Sequence, residues 1–158
     1  RRTQKPLIRT AELAQIVRSV LPRAQKGKSD PATRTFQALR IYVNNEIDEL
    51  CDALLASERI LQEGGILAVV SFHSIEDRIV KRFMRERAGL SSQPSRHQPF
   101  QSTIKPTFRL SPQRPISPEA DEIKINPRAR SAKLRIAIRT AATAKKAFNK
   151  HEMVSGRS

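Results

Sequence analysis

Within seven positions the chain carries a hydroxyl, an imidazole, a second hydroxyl and a carboxylate: Ser71, His73, Ser74 and Asp77. These are the parts of a hydrolytic triad. Crowded into one turn, however, they cannot meet as nucleophile, base and orienting group, which must approach from separate places in a fold. Their position suits another role. They follow the apolar run Ile66–Val70 directly and so stand at the mouth of a strand. In open α/β sheets, ligands bind just beyond the carboxyl ends of the strands. His73 is thus a candidate hydrogen-bonding residue toward a substrate, a structural polar contact being the equal alternative. Ser74 stands beside it and can cap the helix that follows. Asp77 lies three residues on, as in a capping box with Asp in place of Glu.

The other chemistry open to this chain is anion binding. Lys and Arg number 30 against 15 Asp and Glu, a net charge of +15. Such an excess favours a polyanionic partner, nucleic acid first and an anionic membrane surface second. Arg78 and Arg82 form an i, i+4 pair on one helix face. With Arg128, Arg130, Arg135 and Arg139 they are expected to make one basic surface. Arg78, Arg82, Arg128 and Arg130 are the candidates for phosphate contact, which sets affinity and register rather than sequence choice.

Other function classes lack their residues. No G-x-G-x-x-G and no P-loop occurs, and Gly64-Gly65 precede a strand where a nucleoside loop would follow one. His73, His97 and His151 are too scattered for a metal site, so no metal is expected. The single Cys51 excludes an internal disulfide and agrees with a reducing, cytoplasmic setting. No run approaches 18 apolar residues and no secretory leader is visible, so no membrane partner of the spanning kind is expected.

The elements that must position these residues can be read in order. Residues 1–29 are basic, with Glu12 as their one acid. Thr10 can cap a short helix built on Leu13, Ile16, Val17 and Val20, which stops before Pro22. Residues 23–29 read as a polar linker with RNA contact as a minor option. Asp30-Pro31-Ala32-Thr33 signals a helix start. A long helix is expected from about Thr33 to Gln62, with Phe36, Leu39, Val43, Ile47, Leu50, Leu54 and Ile60 on one stripe. Asn44 and Asn45 fit its interior poorly, because their side chains compete for backbone groups. A polar contact or a solvated face would explain them. Ile66–Val70 is apolar without alternation, which suits a parallel strand covered on both faces. A surface loop is expected over 88–106, a short strand at Thr107–Leu110, and a short helix from Ser117-Pro118-Glu119 ending before Pro127. Asn126–Ser131 reads as a basic turn. Lys133–Thr140 alternates, with Leu134, Ile136 and Ile138 on one face and Lys133, Arg135 and Arg139 on the other. That predicts a half-buried antiparallel strand near a sheet edge with a basic outer face. Residues 141–158 read as a basic tail, a helical extension that frays.

Three of these stretches carry a resemblance. ATRTFQALRIYVNNEIDEL (Ala32–Leu50), GGILAVVSFHSIEDRIVKRF (Gly64–Phe83) and NPRARSAKLRIAIRT (Asn126–Thr140) resemble the bacterial 16S ribosomal RNA cytosine-N4 methyltransferase family. The resemblance covers roughly residues 6–140. It departs at Asp30, where the family more often has His, and conservatively at Ile66 and Ile75.

The resemblance implies an α/β fold: the C-terminal half of a class I, Rossmann-like methyltransferase domain, with the end of a helical insertion at its N-terminus. Residues 1–29 would close that insertion, 30–140 would supply the fifth, sixth and seventh strands, and 141–158 would be the tail. The implied reaction moves a methyl from S-adenosylmethionine to N4 of a cytidine in the decoding centre. The implied partner is 16S rRNA in the small ribosomal subunit. The family's glycine-rich loop, acidic ribose-binding residue and motif beside the target amine would all lie upstream of Arg1. The cofactor would therefore be bound mainly by that half, with no cofactor-binding residue in this chain, and the chain alone would be inactive. Arg34, Arg40, Asn44, His73 and Ser74 are expected to approach the target nucleotide or shape its pocket, with ion pairing as the alternative for Arg34 and Asp77. A sheet lacking its first strands would leave Ile66–Val70 with an open edge and an uncovered face, which predicts a companion segment or a homodimer, by strand exchange for example. Composition alone favours a non-enzymatic RNA-binding or ribosome-assembly module.

Overall fold

A computed structural model describes residues 6–21, 30–90 and 105–145. The predicted linker at 23–29, most of the loop expected over 88–106, the tail beyond 145, His97 and His151 lie outside the described residues. The chain divides into two compact units, Arg1–Glu46 and Ile47–Ser158.

In the first unit, helix α1 spans Thr10–Val20 and ends at Leu21, ahead of Pro22. Thr10 lies inside it; Arg9 holds the cap position in extended backbone and makes no side-chain capping bond. Helix α2 spans Ala32–Asn44. Asp30 starts it, its Oδ1 accepting the Ala32 N–H at 2.8 Å. The other carboxylate oxygen accepts two hydrogen bonds from Arg18, at 2.9 and 2.6 Å. These bonds hold the Asp30 carboxyl below the usual carboxylate range, Arg18 first and the Ala32 amide second.

The single long helix expected over Thr33–Gln62 is two helices. Asn45 takes left-handed backbone, φ 52° and ψ 32°, and ends α2; helix α3 then spans Glu46–Ile60. Asn visits that region more readily than other residues bearing a Cβ, because its short amide can bond locally. The Asn45 N–H bonds back to the carbonyls of Ile41 and Tyr42. Asn45 is thus a helix stop, while Asn44, the last residue of α2, makes a polar contact through its side chain.

The second unit is built on a three-stranded sheet. Strand β1 is Ile66–Ser71, β2 is Phe108–Leu110 and β3 is Lys133–Arg139. Helix α4, Ser74–Arg87, follows β1. Helix α5, Ala120–Ile125, and a 3-10 turn, Pro127–Ser131, lead into β3. The sheet order is β1-β3-β2, and β3 runs antiparallel to both neighbours. β1 and β2 are therefore parallel to each other with β3 between them. The antiparallel prediction for β3 holds; its edge placement does not, because β3 is central among the described strands.

Gly64 makes the entry to β1 possible. Its φ of 80° is a conformation that side chains disfavour. It lets the Gly64 N–H reach the Arg139 carbonyl at 2.9 Å, extending the ladder one step beyond β1.

One sheet face carries the core. Cys51 and Leu54 from α3 and Ile79, Val80, Phe83 and Met84 from α4 pack with Phe108 and Ala137. Leu67, Val69 and Leu110 join from the same face. The opposite face shows apolar residues to solvent: Ile66 is 63 % exposed and Val70 54 %. In register with Ile66, Ala68 and Val70 stand Ile138, Ile136 and Leu134. The expectation that β1 is covered on both faces is thus corrected: exposure alternates along it, and one side is open. The open face predicted for a sheet lacking neighbours is the one observed.

The basic outer face expected of β3 is also corrected. Arg135 and Arg139 point to the helix-covered side, with Ala137 buried between them. Arg135 grips Asp77 of α4 through two bonds, at 2.8 and 3.0 Å. Arg139 is buried; it bonds the carbonyls of Glu58 and Thr107 at 2.9 and 3.0 Å and lies over the Phe108 ring. A buried guanidinium is tolerable only where its donors are met, and these two have acceptors.

Beside Arg139 lies a buried ion pair. Glu58 Oε2 accepts from Arg87 Nε at 2.9 Å, and Glu58 Oε1 accepts from the Thr107 hydroxyl at 2.6 Å. The pair joins α3, α4 and the start of β2. Residues 141–145, expected to begin a helix, are not helical. Their backbone is taken by this cluster instead: the Ala142 carbonyl accepts from Arg139 at 2.8 Å and the Lys145 N–H reaches Glu58 Oε1 at 3.5 Å.

Candidate functional site

β1 ends at Ser71, and its Oγ donates to the Lys133 carbonyl at 3.4 Å. Phe72 follows, 59 % exposed, and then His73 at the cap position of α4. The capping box predicted for Ser74 and Asp77 lies one residue earlier, on His73 and Glu76. His73 Nδ1 accepts the Glu76 N–H at 3.4 Å, while the Glu76 carboxylate accepts the N–H groups of Phe72 at 3.0 Å and His73 at 3.4 Å. Imidazole is not among the favoured capping groups, and its unprotonated nitrogen alone makes this possible. His73 Nε2 lies 3.0 Å from Glu76 Oε1 but outside hydrogen-bond geometry. His73 therefore has a structural role at the mouth. Ser74, freed from capping, is the exposed first residue of α4. Asp77, also freed, makes the tie to Arg135 described above, the ion pair that is its alternative role.

The 3-10 turn comes to the same end of the sheet. Ser71 pairs with Lys133 in the antiparallel register, so the residues just before Lys133 reach the mouth of β1. Asn126 starts the turn by accepting the Arg128 N–H at 3.2 Å. Ala129 is buried and anchors it, while Arg128 and Arg130 on either side are exposed. A buried alanine between two exposed arginines presents guanidinium groups without burying charge. The structure thus brings Phe72, His73, Ser74, Arg128 and Arg130 to one end of one sheet.

Arg78 is exposed one turn into α4. Arg82 is half-buried, so the two do not form the equivalent exposed pair that their spacing predicts. In the first unit, Arg34 is exposed on α2. Arg40 and Asn44 are gathered by Glu46, which lies 2.8 Å from Arg40 Nε and accepts from Asn44 Nδ2 at 3.2 Å.

Phe72 was not singled out from the sequence. The signal was there: an aromatic side chain inside an otherwise polar strand-to-helix turn, in a chain with few aromatics.

Comparison with known proteins decides the family. A family model described as the MraW methylase family matches residues 1–140. The chain belongs to the MraW methylase family. Relatives agree. A protein of Paramagnetospirillum magneticum named ribosomal RNA small subunit methyltransferase H is 55 % identical over 145 residues, covering 90 % of this chain and 45 % of that protein. Proteins of the same name from Cereibacter sphaeroides and a Caulobacter species are 52 % and 51 % identical, covering 92 % and 90 % of this chain and 44 % of each relative. The resemblance carried by the three stretches is therefore borne out, and this MraW-family chain spans less than half the length of the relatives it matches. Among the described residues no helix is long and apolar enough to cross a membrane.

Proposed function

We propose that this chain is the C-terminal portion of an S-adenosylmethionine-dependent methyltransferase acting on N4 of a cytidine in the decoding centre of 16S rRNA. The observation that carries the reading is the convergence at the end of β1. There a polar turn, an exposed phenylalanine and two exposed arginines meet on a chain that belongs to a methylase family. A strand mouth is where α/β enzymes bind ligands, and guanidinium groups there suit a phosphate backbone.

The described residues do not fit S-adenosylmethionine by themselves. The main-chain N–H groups of Phe72 and His73 are taken by Glu76, and that of Glu76 by His73. No glycine-rich turn follows β1. The cofactor would be held mainly by polypeptide corresponding to the rest of the relatives' length. In the second unit, Arg128, Arg130 and Arg78 would face phosphates, with Arg82 one turn beyond Arg78 on α4, and His73 and Ser74 would form one wall of the substrate pocket; in the first unit, Arg34, Arg40 and Asn44 are proposed separately as nucleotide contacts.

A class I, Rossmann-like arrangement is supported by the parallel pair β1 and β2 with an antiparallel strand between them. The same reading gives the open apolar face of β1 and β3 an owner in that remaining polypeptide, or in a second copy when it is absent. The small ribosomal subunit is the proposed partner and the cytoplasm the proposed location.

The test is methyl transfer from labelled S-adenosylmethionine to small subunits by the chain extended to its relatives' length. Label recovered as N4-methylcytidine supports the reading. Label on another atom or another base overturns it.

A further inference from the structure

A second cationic feature lies away from the strand mouth. Arg78, Lys81 and Arg85 are spaced i, i+3 and i+7 along α4, and all three are exposed. They fall on the helix face that begins with Ser74, at i−4 from Arg78. The stripe runs from the mouth of β1 to a groove of about 350 Å³ between α4 and the segment after β2. Lys81, Arg85 and Arg114 line that groove, with Met84, Leu110 and Pro112 among its apolar lining. No carboxylate is among its described lining residues. Arg135 also borders it, with its charge met by Asp77. Arg85 donates to the Leu90 carbonyl at 2.7 Å, a neutral acceptor, and pairs with no carboxylate among the described residues.

The groove is therefore a cationic rim over an apolar floor, near the small end of the range of about 300–1,000 Å³ typical of ligand sites. A ribose-phosphate unit fits that chemistry, with its anion on the rim and its uncharged face on the floor. A helix rises 1.5 Å per residue, so Arg85 lies about 16 Å along α4 from Ser74. That is too far to serve the residue held at the mouth. The groove also lies toward β2, the far side of β3 from the open edge of β1, so a partner strand beside β1 would leave it accessible.

We infer that Lys81, Arg85 and Arg114 form a second phosphate-binding groove, which grips a flanking segment of the single RNA strand whose target residue lies at the β1 mouth. This rests on the proposed RNA substrate. It differs from that proposal in placing affinity at residues remote from the mouth.

The test is binding of a fluorescent single-stranded RNA to the 158-residue chain across a series of salt concentrations. Each phosphate neutralised on a single strand releases counterions and steepens the fall of log affinity with log salt by about 0.7 in slope. Replacing two exposed side chains, Lys81→Gln with Arg114→Gln, should flatten the slope by about 1.4. The charge-preserving pair Lys81→Arg with Arg114→Lys should restore it. Photo-crosslinking of the bound strand should also mark peptides containing Lys81 and Arg114. If the unsubstituted chain binds but the Gln pair leaves the slope unchanged, the groove is overturned and the RNA reading stands. If the unsubstituted chain does not bind RNA at all, both fall.

Discussion

Glu58 Oε2 sits 2.9 Å from Arg87 Nε with both side chains buried, 1 % and 0 % exposed. The pair joins α3 to α4 beneath the sheet. The Thr107 hydroxyl bonds the same carboxylate, and the Glu58 main-chain carbonyl accepts from Arg139. Taking Glu58 away leaves the buried Arg87 with the more exposed Glu86, 3.1 Å from its Nη1, as acidic partner, and breaking a buried pair costs about 3–5 kcal/mol. Glu58→Ala should therefore destabilise the second unit by that amount. Thr107→Val removes only one hydrogen bond to the carboxylate and should cost about 1.5–3 kcal/mol. Urea denaturation followed by circular dichroism reads both. A Glu58→Ala variant as stable as the unsubstituted chain would show the pair is not holding these elements.

The capping box gives His73 a structural role that is separable from the proposed contact with substrate. His73→Ala should lower stability by about 1 kcal/mol through loss of the acceptor for the Glu76 N–H. His73→Asn supplies a favoured capping oxygen and should recover most of it. If the imidazole also meets substrate, the Asn variant of the relative-length protein will fold normally but methylate more slowly. Full methylation by that variant would confine His73 to capping.

Asp30 is the group with a clear pH signature. Its folded pKa is depressed by Arg18, so the tie between α1 and α2 is present above the unfolded value near about 3.9 and is lost as pH falls through the lower folded value. Both side chains are about half exposed, so solvent screens the effect and salt should weaken it. Following the Asp30 carboxyl by NMR, Arg18→Gln should raise its midpoint toward the unfolded value. An unmoved midpoint would remove Arg18 as the main cause.

How far the sequence disclosed this arrangement can be judged residue by residue. The succession of β1, a polar turn and α4 was legible because an apolar run and a 3.6-residue period agreed; the capping pattern was legible one residue late, since an imidazole is not a usual cap. The short strand at Phe108 was expected at Thr107–Leu110, and the turn before Lys133 was legible from its Asn126-Pro127 signal. The inward face of β3 was not. Alternation shows that two faces differ, and charged residues normally lie outside. Here Asp77 and a ring of carbonyls meet Arg135 and Arg139 on the inner side, and those acceptors are distant in sequence. The apolar face then looks outward to a region that these residues leave open. The break at Asn45 was half legible: the misfit of asparagine was visible, but only backbone geometry distinguishes a helix stop from a polar contact.

The basic turn makes a direct prediction about RNA. Arg128→Ala with Arg130→Ala removes two exposed guanidinium groups beside the mouth while keeping the buried Ala129 anchor. The salt dependence of RNA binding should flatten by about 1.4 in slope. An unchanged slope would take both residues out of the interface.

The open face of the sheet makes another. Ile66 and Val70 lie on an edge strand with an apolar face toward water, a template for association. In an analytical ultracentrifuge the 158-residue chain should self-associate at micromolar concentration. Val70→Lys, placing a charge on that face, should shift it toward monomer. A tight, well-folded monomer without the substitution would contradict an unmet sheet.

The most direct measurement is calorimetric titration of S-adenosylmethionine into two proteins, this chain and the chain extended to its relatives' full length. The extended protein should bind about one equivalent of cofactor, and the 158-residue chain should give no binding heat. Equal, saturable binding by the short chain would place the methyl-donor pocket inside these residues and contradict the division of labour proposed for the strand mouth.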